Sequence, residues 1–373
     1  MMPFVLALPA IMVALALVPI RRPFPLAVAG WVVGLAAVEL PLHMGLLVVA
    51  VAAAFLLTGG VTAANLVGAG MAAAIGAGLA VLLARQLAAA RVLDGALEEA
   101  GVTTARPASR TRTPWLRVLF RPWPLRPREI RRQELSYGPE RAHRLHLYTR
   151  HDSEAPVHGV LVHLHGGHFR SGGPSRESRA LLFDHALRGW AAVSATYHLS
   201  PTPEGGFPQH LVDVKRLLAW IRTEGGAHGI PSDTPIVMAG SSAGAHITAM
   251  TALTANDPRF QPGFEDADTS LAGAIGLYGY YGRLGLGTKD VSNPVRHPAD
   301  HAPPYFVIHG TLDTYTPLKG SRRLVRHLRA GSPHAVAYAE LPGAQHGFDP
   351  FASPRFLAVV RAVAAFTDTL AAR

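Results

Sequence analysis

The first 84 residues carry only three formal charges, Arg21, Arg22 and Glu39. Nothing else in the chain restricts its fold as much, because a helix in water needs a polar face and a stretch this apolar supplies none. Residues 1–20 are apolar apart from Pro3, Pro9 and Pro19. Residues 24–58 are almost wholly apolar, with Pro41 and His43 in their middle, and residues 61–84 are rich in Ala and Gly. A cleaved leader accounts for the first run and not for those that follow. At about 1.5 Å rise per residue the third run is long enough to cross a bilayer. Residues 1–84 therefore read as an all-α transmembrane domain of three or four spans. Within it, the pairs Gly30/Gly34 and Ala72/Gly76 suit close helix packing in lipid. Glu39, with Pro41 and His43 beside it, reads as an interfacial carboxylate.

Arginines set the orientation. Arg21 and Arg22 mark one cytoplasmic loop, and the arginines from Arg85 onward mark a second. Both lie on one side only if an even number of spans separates them. This favours three spans, with 24–58 as one long or kinked element, and a cytoplasmic C-terminal domain. The net charge is +10, and residues 85–132 hold most of it: eleven arginines against Asp94, Glu98, Glu99 and Glu129. This segment reads as a basic juxtamembrane linker. In the run from Trp115 to Trp123, arginines alternate with aromatics, which suits anionic lipid headgroups. Its position next to spanning helices favours membrane lipid over nucleic acid as the partner. The chain has no cysteine, which excludes disulfides, thiolate catalysis and cysteine-bound metal.

From residue 133 to the end the pattern becomes that of an α/β domain. Apolar or alternating strands are predicted at 144–148, 159–164, 191–197, 235–239, 272–278, 305–309 and 335–341. Helices are predicted at 181–188, 211–222, 321–329 and 356–370, and after residue 242. Strands alternating with helices imply a mostly parallel sheet with helices on both faces.

The chemistry centres on Gly240-Ser241-Ser242-Ala243-Gly244. A serine between glycines, after an apolar strand and before a helix, has the geometry of a nucleophile elbow. A serine nucleophile needs a base, an orienting acid and donors for the oxyanion. His346, in a small-residue loop after the last predicted strand, fits the base. Asp313, directly after the strand at 305–309, fits the acid, with Asp349 as its substitute. His165-Gly166-Gly167-His168 ends an early strand, so the oxyanion donors are assigned to Gly166, Gly167 and Ala243. His163, His165 and His168 have metal-like spacing, but alternate strand positions face opposite ways, and no metal is assigned. His165, His168, Ser241, Tyr280 and Tyr281 are the candidate substrate-binding residues.

Taken in order, His165-Gly166-Gly167, Tyr197-His198-Leu199-Ser200-Pro201, Phe207-Pro208 with Asp213, Gly240–Gly244, His309-Gly310-Thr311-Leu312-Asp313 and His346-Gly347-Phe348 resemble the motifs of hormone-sensitive-lipase-type esterases. The likeness is greatest to their actinobacterial and feruloyl-esterase-like members. It runs from about residue 134 to the C-terminus and leaves the apolar domain uncovered. It implies an α/β-hydrolase fold, the serine–acid–histidine order Ser242, Asp313, His346, and hydrolysis of carboxylic esters without a cofactor. It also implies that the His165 motif is the oxyanion loop and that Tyr197 and Pro201 build the core beside it. Many members have an acid where this chain has Ser241, so support for the site must differ here. The stretch 281–302 is short, so any lid is small or comes from residues 100–132. A membrane-anchored carboxylesterase or lipase acting on a lipophilic ester is the resulting expectation. Amide hydrolysis of the arylformamidase kind, acyl transfer to a lipid, and non-enzymatic binding on a hydrolase scaffold stay open.

Overall fold

The structure is a computed structural model that describes residues 1–103, 107–151, 157–202, 206–285 and 289–371. Four helices open the chain: α1 (Met2–Leu17), α2 (Phe24–Glu39), α3 (Pro41–Gly59) and α4 (Ala63–Glu99). The element expected at 24–58 is thus two helices. Pro41 causes the break, since the residue before a proline is pushed out of the α region and the proline itself suits a first helical turn. Leu40 accordingly has φ −123° and ψ 45°. Among the described residues, α3 and α4 are the helices long and apolar enough to cross a membrane. Leu46, Leu47, Val49, Leu57, Leu66 and Val67 on them are exposed.

The close approaches expected of small residues occur in part. Gly34 packs against the α1 backbone at Ala16, and Gly30 meets Leu15 and Ile20. Gly76 faces open space, and it is Gly68 and Gly78 of α4 that receive Met2, Val13 and Leu17 of α1.

α4 also departs from expectation. It does not stop at the arginines but continues to Glu99. Ala89, Leu93, Ala96 and Leu97, spaced on one helical face, join Leu341, Phe356, Val359 and Phe366 in the main core. One face of residues 85–99 therefore packs into the core of the C-terminal domain. A short helix α5 (Trp115–Phe120) lies within the segment expected as linker, and strand β1 (Ile130–Ser136) begins at its end.

The remaining strands are β2 (Arg144–Arg150), β3 (Val160–Leu164), β4 (Ala191–Ala195), β5 (Ile236–Ser241), β6 (Gly273–Leu277), β7 (Tyr305–Gly310) and β8 (Val336–Leu341). The helices among them are α6 (Arg179–Leu187), α7 (Gln209–Glu224), α8 (Ala243–Leu253), α9 (Lys319–Gly331) and α10 (Pro354–Ala371). The sheet order is β1-β2-β4-β3-β5-β6-β7-β8. β2 runs antiparallel to β1 and β4, and the later pairs are parallel. Strands β3 to β6 are buried along their whole lengths, as parallel strands covered on both faces must be. One face packs on α4 and α10 and the other on α7 and α8. β5, β7 and β8 point the same way, so the loops leaving their C-terminal ends meet at one sheet edge.

Helix α2 lies across the α/β domain along its own length. Phe24 packs on Tyr315, with ring centroids 5.6 Å apart. Trp31 Nε1 donates to the His346 carbonyl at 2.7 Å. At its far end Glu39, expected at an interface with water, is 1% exposed and accepts from Arg355 Nη1 at 2.5 Å and Ser353 Oγ at 2.9 Å.

Candidate active site

Ser242 sits between β5 and α8 with φ 54° and ψ −111°, a backbone state that costs energy for any residue with a side chain. The neighbouring glycines allow it. A Cβ at Gly240 would overlap the Gly244 carbonyl, and one at Gly244 would overlap the Leu164 carbonyl at the end of β3. The second contact brings the His165 loop to the elbow, with the Gly166 Cα so close that a Cβ there would lie 3.0 Å from Ser242 Cβ.

The three residues expected to work together are brought together. His346 Nε2 is 2.9 Å from Ser242 Oγ, and His346 Nδ1 is 2.8 Å from Asp313 Oδ2. Ser242, Asp313 and His346 are all buried. Burial alone would raise the Asp313 carboxyl, but the charge of His346 and hydrogen bonds from His309 and His346 hold it below the usual carboxylate range. Its oxygens also accept from the Thr316 N–H at 2.7 Å, the Tyr315 N–H at 2.9 Å and Thr316 Oγ1 at 2.9 Å. Asp313 is thus kept ionised and fixed, as a carboxylate that orients an imidazole must be. The imidazole is held on its other sides by rings: Tyr278 and Tyr315 at 4.8 Å and Trp31 at 5.5 Å.

The oxyanion assignment changes in one respect. The Gly166 N–H donates to the Glu177 carboxylate. The Gly167 and Ala243 N–H groups donate to no protein acceptor among the described residues. The Ala243 group lies in the first turn of α8, where helical N–H groups have no intrahelical partner.

Of the expected substrate-binding residues, His168 and Tyr280 line a cavity of about 370 Å³ that reaches Ser242 and Ala243. Phe24, Phe169, Leu284, Tyr315 and Thr316 line it too. His165, Ser241 and Tyr281 do not. His165 is stacked on Tyr197 at 4.6 Å, with its Nε2 3.1 Å from Thr196 Oγ1. Tyr281 is buried between α8, β7 and α9 residues. No described residue of 100–132 lines the cavity; residues 104–106, and 286–288 of the expected short stretch, lie outside the described residues. The three histidines of the early strand diverge: His163 meets Ser241, His165 meets Thr196, and His168 Nδ1 meets the Tyr315 hydroxyl. Tyr197 is buried and donates to the His165 carbonyl at 2.8 Å, whereas Pro201 is exposed.

Support beneath the elbow comes from a carboxylate distant in sequence. No hydrogen bond or ion pair joins Asp349 to His346, whose carboxylate partner is Asp313. Asp349 accepts from Ser241 Oγ at 2.7 Å and from the Ser178 and Tyr278 hydroxyls. Burial and the nearby Glu177 charge push its carboxyl up to about 6. The acid missing at position 241 is thus supplied from the loop after His346, with Ser241 as its donor. Trp31, Glu177, Tyr278, Tyr315 and Thr316 escape sequence reasoning. Tyr278 alone carries a local signal, standing at the C-terminal end of an apolar strand.

A mostly parallel sheet of this order, with serine, acid and histidine on the loops after β5, β7 and β8 at one edge, has the α/β-hydrolase fold. The likenesses agree. Residues 145–280 match the BD-FAE family. The chain is similar to the probable carboxylic ester hydrolase LipM of Mycobacterium tuberculosis, 36% identical over 63% of this chain and 61% of LipM. The esterases LipQ and LipC of the same organism are 34% and 32% identical over 68% and 65% of this chain, and over 65% and 66% of their own lengths. The chain thus spans under two thirds of these relatives. Among solved structures, the fold resembles a thermophilic esterase from Thermogutta terrifontis, with TM-score 0.55 and 23% identity over 66% of this chain and 93% of that one. It also resembles a truncated carbohydrate esterase from gut microbiota, with TM-score 0.54 and 15% identity over 68% of this chain and 98% of that one. The C-terminal domain has the α/β-hydrolase fold, and within it residues 145–280 resemble the BD-FAE family.

Proposed function

We propose that this chain is a membrane-anchored serine carboxylesterase. The observation that carries the reading is the hydrogen-bonded line Ser242–His346–Asp313, with distances of 2.9 and 2.8 Å, at the floor of an apolar-walled cavity. His346 Nε2 takes the Ser242 proton as Oγ attacks the ester carbonyl, and the resulting oxyanion is held by the N–H groups of Gly167 and Ala243. The tetrahedral intermediate collapses, the C–O bond to the alcohol breaks, and His346 returns the proton to the leaving alkoxide. Water, deprotonated by the same imidazole, then attacks the acyl-serine and releases the acid.

The membrane reading rests on α3 and the first half of α4, with α1 packed beside them. In this arrangement α1, α3 and α4 span the bilayer, α2 lies between bilayer and hydrolase, and Arg21, Arg22 and the hydrolase share the cytoplasmic side. The substrate is an ester. Replacement Ser242→Ala in the full chain tests the mechanism: hydrolysis of p-nitrophenyl butyrate falls at least about 10³-fold, and fluorophosphonate labelling disappears. Hydrolysis within tenfold of the unmodified protein would overturn it.

A further inference from the structure

The cavity in front of Ser242 is not closed by the hydrolase alone. Phe24, the first residue of α2, forms part of its wall together with Phe169, Tyr280 and Tyr315. Phe24 packs at 5.6 Å on Tyr315, which packs at 4.8 Å on His346; seven residues on, Trp31 meets Tyr315 at 5.4 Å and donates to the His346 carbonyl. Glu39 anchors the other end of the same helix through its buried ion pair with Arg355. One helix of the apolar domain is thus fixed at its far end, braced at the catalytic histidine and exposed at the cavity mouth, where Phe24 is 54% accessible. Close to Phe24 in sequence, Val18, Ile20 and Leu26 are exposed as well, at 77%, 37% and 54%, with the exposed Arg21 and Arg22 between them. The position of the mouth along the molecule is also defined. Leu17, at the end of α1, packs on Gly78 of α4, and Arg85, about 10 Å further along that helix at 1.5 Å per residue, touches Gly343 of the hydrolase. The mouth therefore opens where the apolar helices meet the catalytic domain.

We infer that α2 is a working part of the active site: Phe24 is a specificity-determining residue that receives the apolar chain of an ester taken from the lipid side. This rests on the esterase reading above and names its substrate class. An apolar wall to which the helix adds Phe24 selects for chain length, since each methylene buried against it raises kcat/KM about fourfold until the space is filled. The half-buried Phe24 ring accounts for about tenfold of that selectivity.

The test uses the full chain in lipid nanodiscs with p-nitrophenyl acetate, butyrate, octanoate and dodecanoate. The readout is the ratio of kcat/KM between octanoate and acetate, which is insensitive to the fraction of active protein. Phe24→Ala is expected to lower that ratio about tenfold, and Phe24→Trp to move the preferred chain to a shorter length. Fluorophosphonate labelling counts intact sites, and if Phe24→Ala fails to fold, the shift in Phe24→Trp decides. Chain-length profiles in the folded variants that match the unmodified protein would overturn the inference while leaving the esterase reading in place. Activity surviving in Ser242→Ala would overturn the esterase reading itself.

Discussion

The ion pair between Glu39 and Arg355 joins the apolar domain to the hydrolase. Both side chains are removed from water, at 1% and 0% residue exposure. The Arg355 guanidinium has one carboxylate partner at 2.5 Å, a carbonyl at 3.3 Å from Pro342, and an Nε that finds no acceptor. Replacing Glu39 with Ala leaves a buried guanidinium without counter-charge and removes the acceptor of Ser353 Oγ. Breaking a buried pair from one side costs about 3–5 kcal/mol, mostly as the desolvation of the charge left behind. At about 2–4 °C per kcal/mol for a domain of this size, the hydrolase should melt roughly 6–20 °C lower. Since α2 then loses its anchor, Trp31 should loosen from His346 and esterase activity should fall before the sheet unfolds. The double change Glu39→Leu with Arg355→Met removes both charges and should recover most of the loss. The assay is thermal unfolding of the full chain in one detergent, followed by tryptophan emission and by residual ester hydrolysis. A fall of less than about 1 kcal/mol for Glu39→Ala would show that water reaches the pair and that α2 is not docked as described. A double variant no better than the single one would refute the role of charge.

Two further outcomes follow from the core. Burial lowers His163 and His210 to about 3 and His165, His185 and His246 to about 4, so each is neutral in the folded state. An unfolded histidine titrates near 6.5, so the unfolded state binds more protons below that pH and stability falls as pH drops from about 6.5 to about 4. Asp349, raised to about 6, opposes this with one proton in the same window. Equilibrium unfolding between pH 7 and pH 4.5 should therefore show a steep net loss of stability on acidification, and a flat profile would contradict the burial of these rings. Replacing Gly244 with Ala drives a Cβ into the Leu164 carbonyl; the strand–helix contact must open by a fraction of an ångström to an ångström, and kcat should fall about 10²-fold with a smaller change in KM. Unchanged kcat would mean that the elbow and the oxyanion loop are not coupled through this contact.

The sequence by itself marked most elements of the α/β domain and pointed to the candidate triad Ser242, Asp313 and His346. Apolar runs of five to six residues, such as β3 and β7, are too short for buried helices and too apolar for loops. The helices between them repeat on a 3.6-residue period, and the glycines around Ser242 leave one plausible turn. Asp313 and His346 were legible because each stands in the loop that follows a strand, three residues after β7 and five after β8. Pro41 and the spacing of Ala89, Leu93, Ala96 and Leu97 carried local signals for the break before α3 and the continuation of α4, but the unbroken apolar run and the arginines led the reading to one element and a linker. Tertiary structure alone decided what joins the ends of the chain. Residues such as Trp31 and His346, or Glu39 and Arg355, are 315 and 316 positions apart. Local pattern carries no information about such pairs, because their contact depends on how whole elements stack. The same holds for Asp349 beneath Ser241 and for Glu177 on the Gly166 N–H: a carboxylate's role is set by which donors the fold brings to it. The sequence places an esterase-like triad and an apolar domain in one chain. Packing of α2 across the sheet edge sets Phe24 of that domain in the wall of the cavity at Ser242.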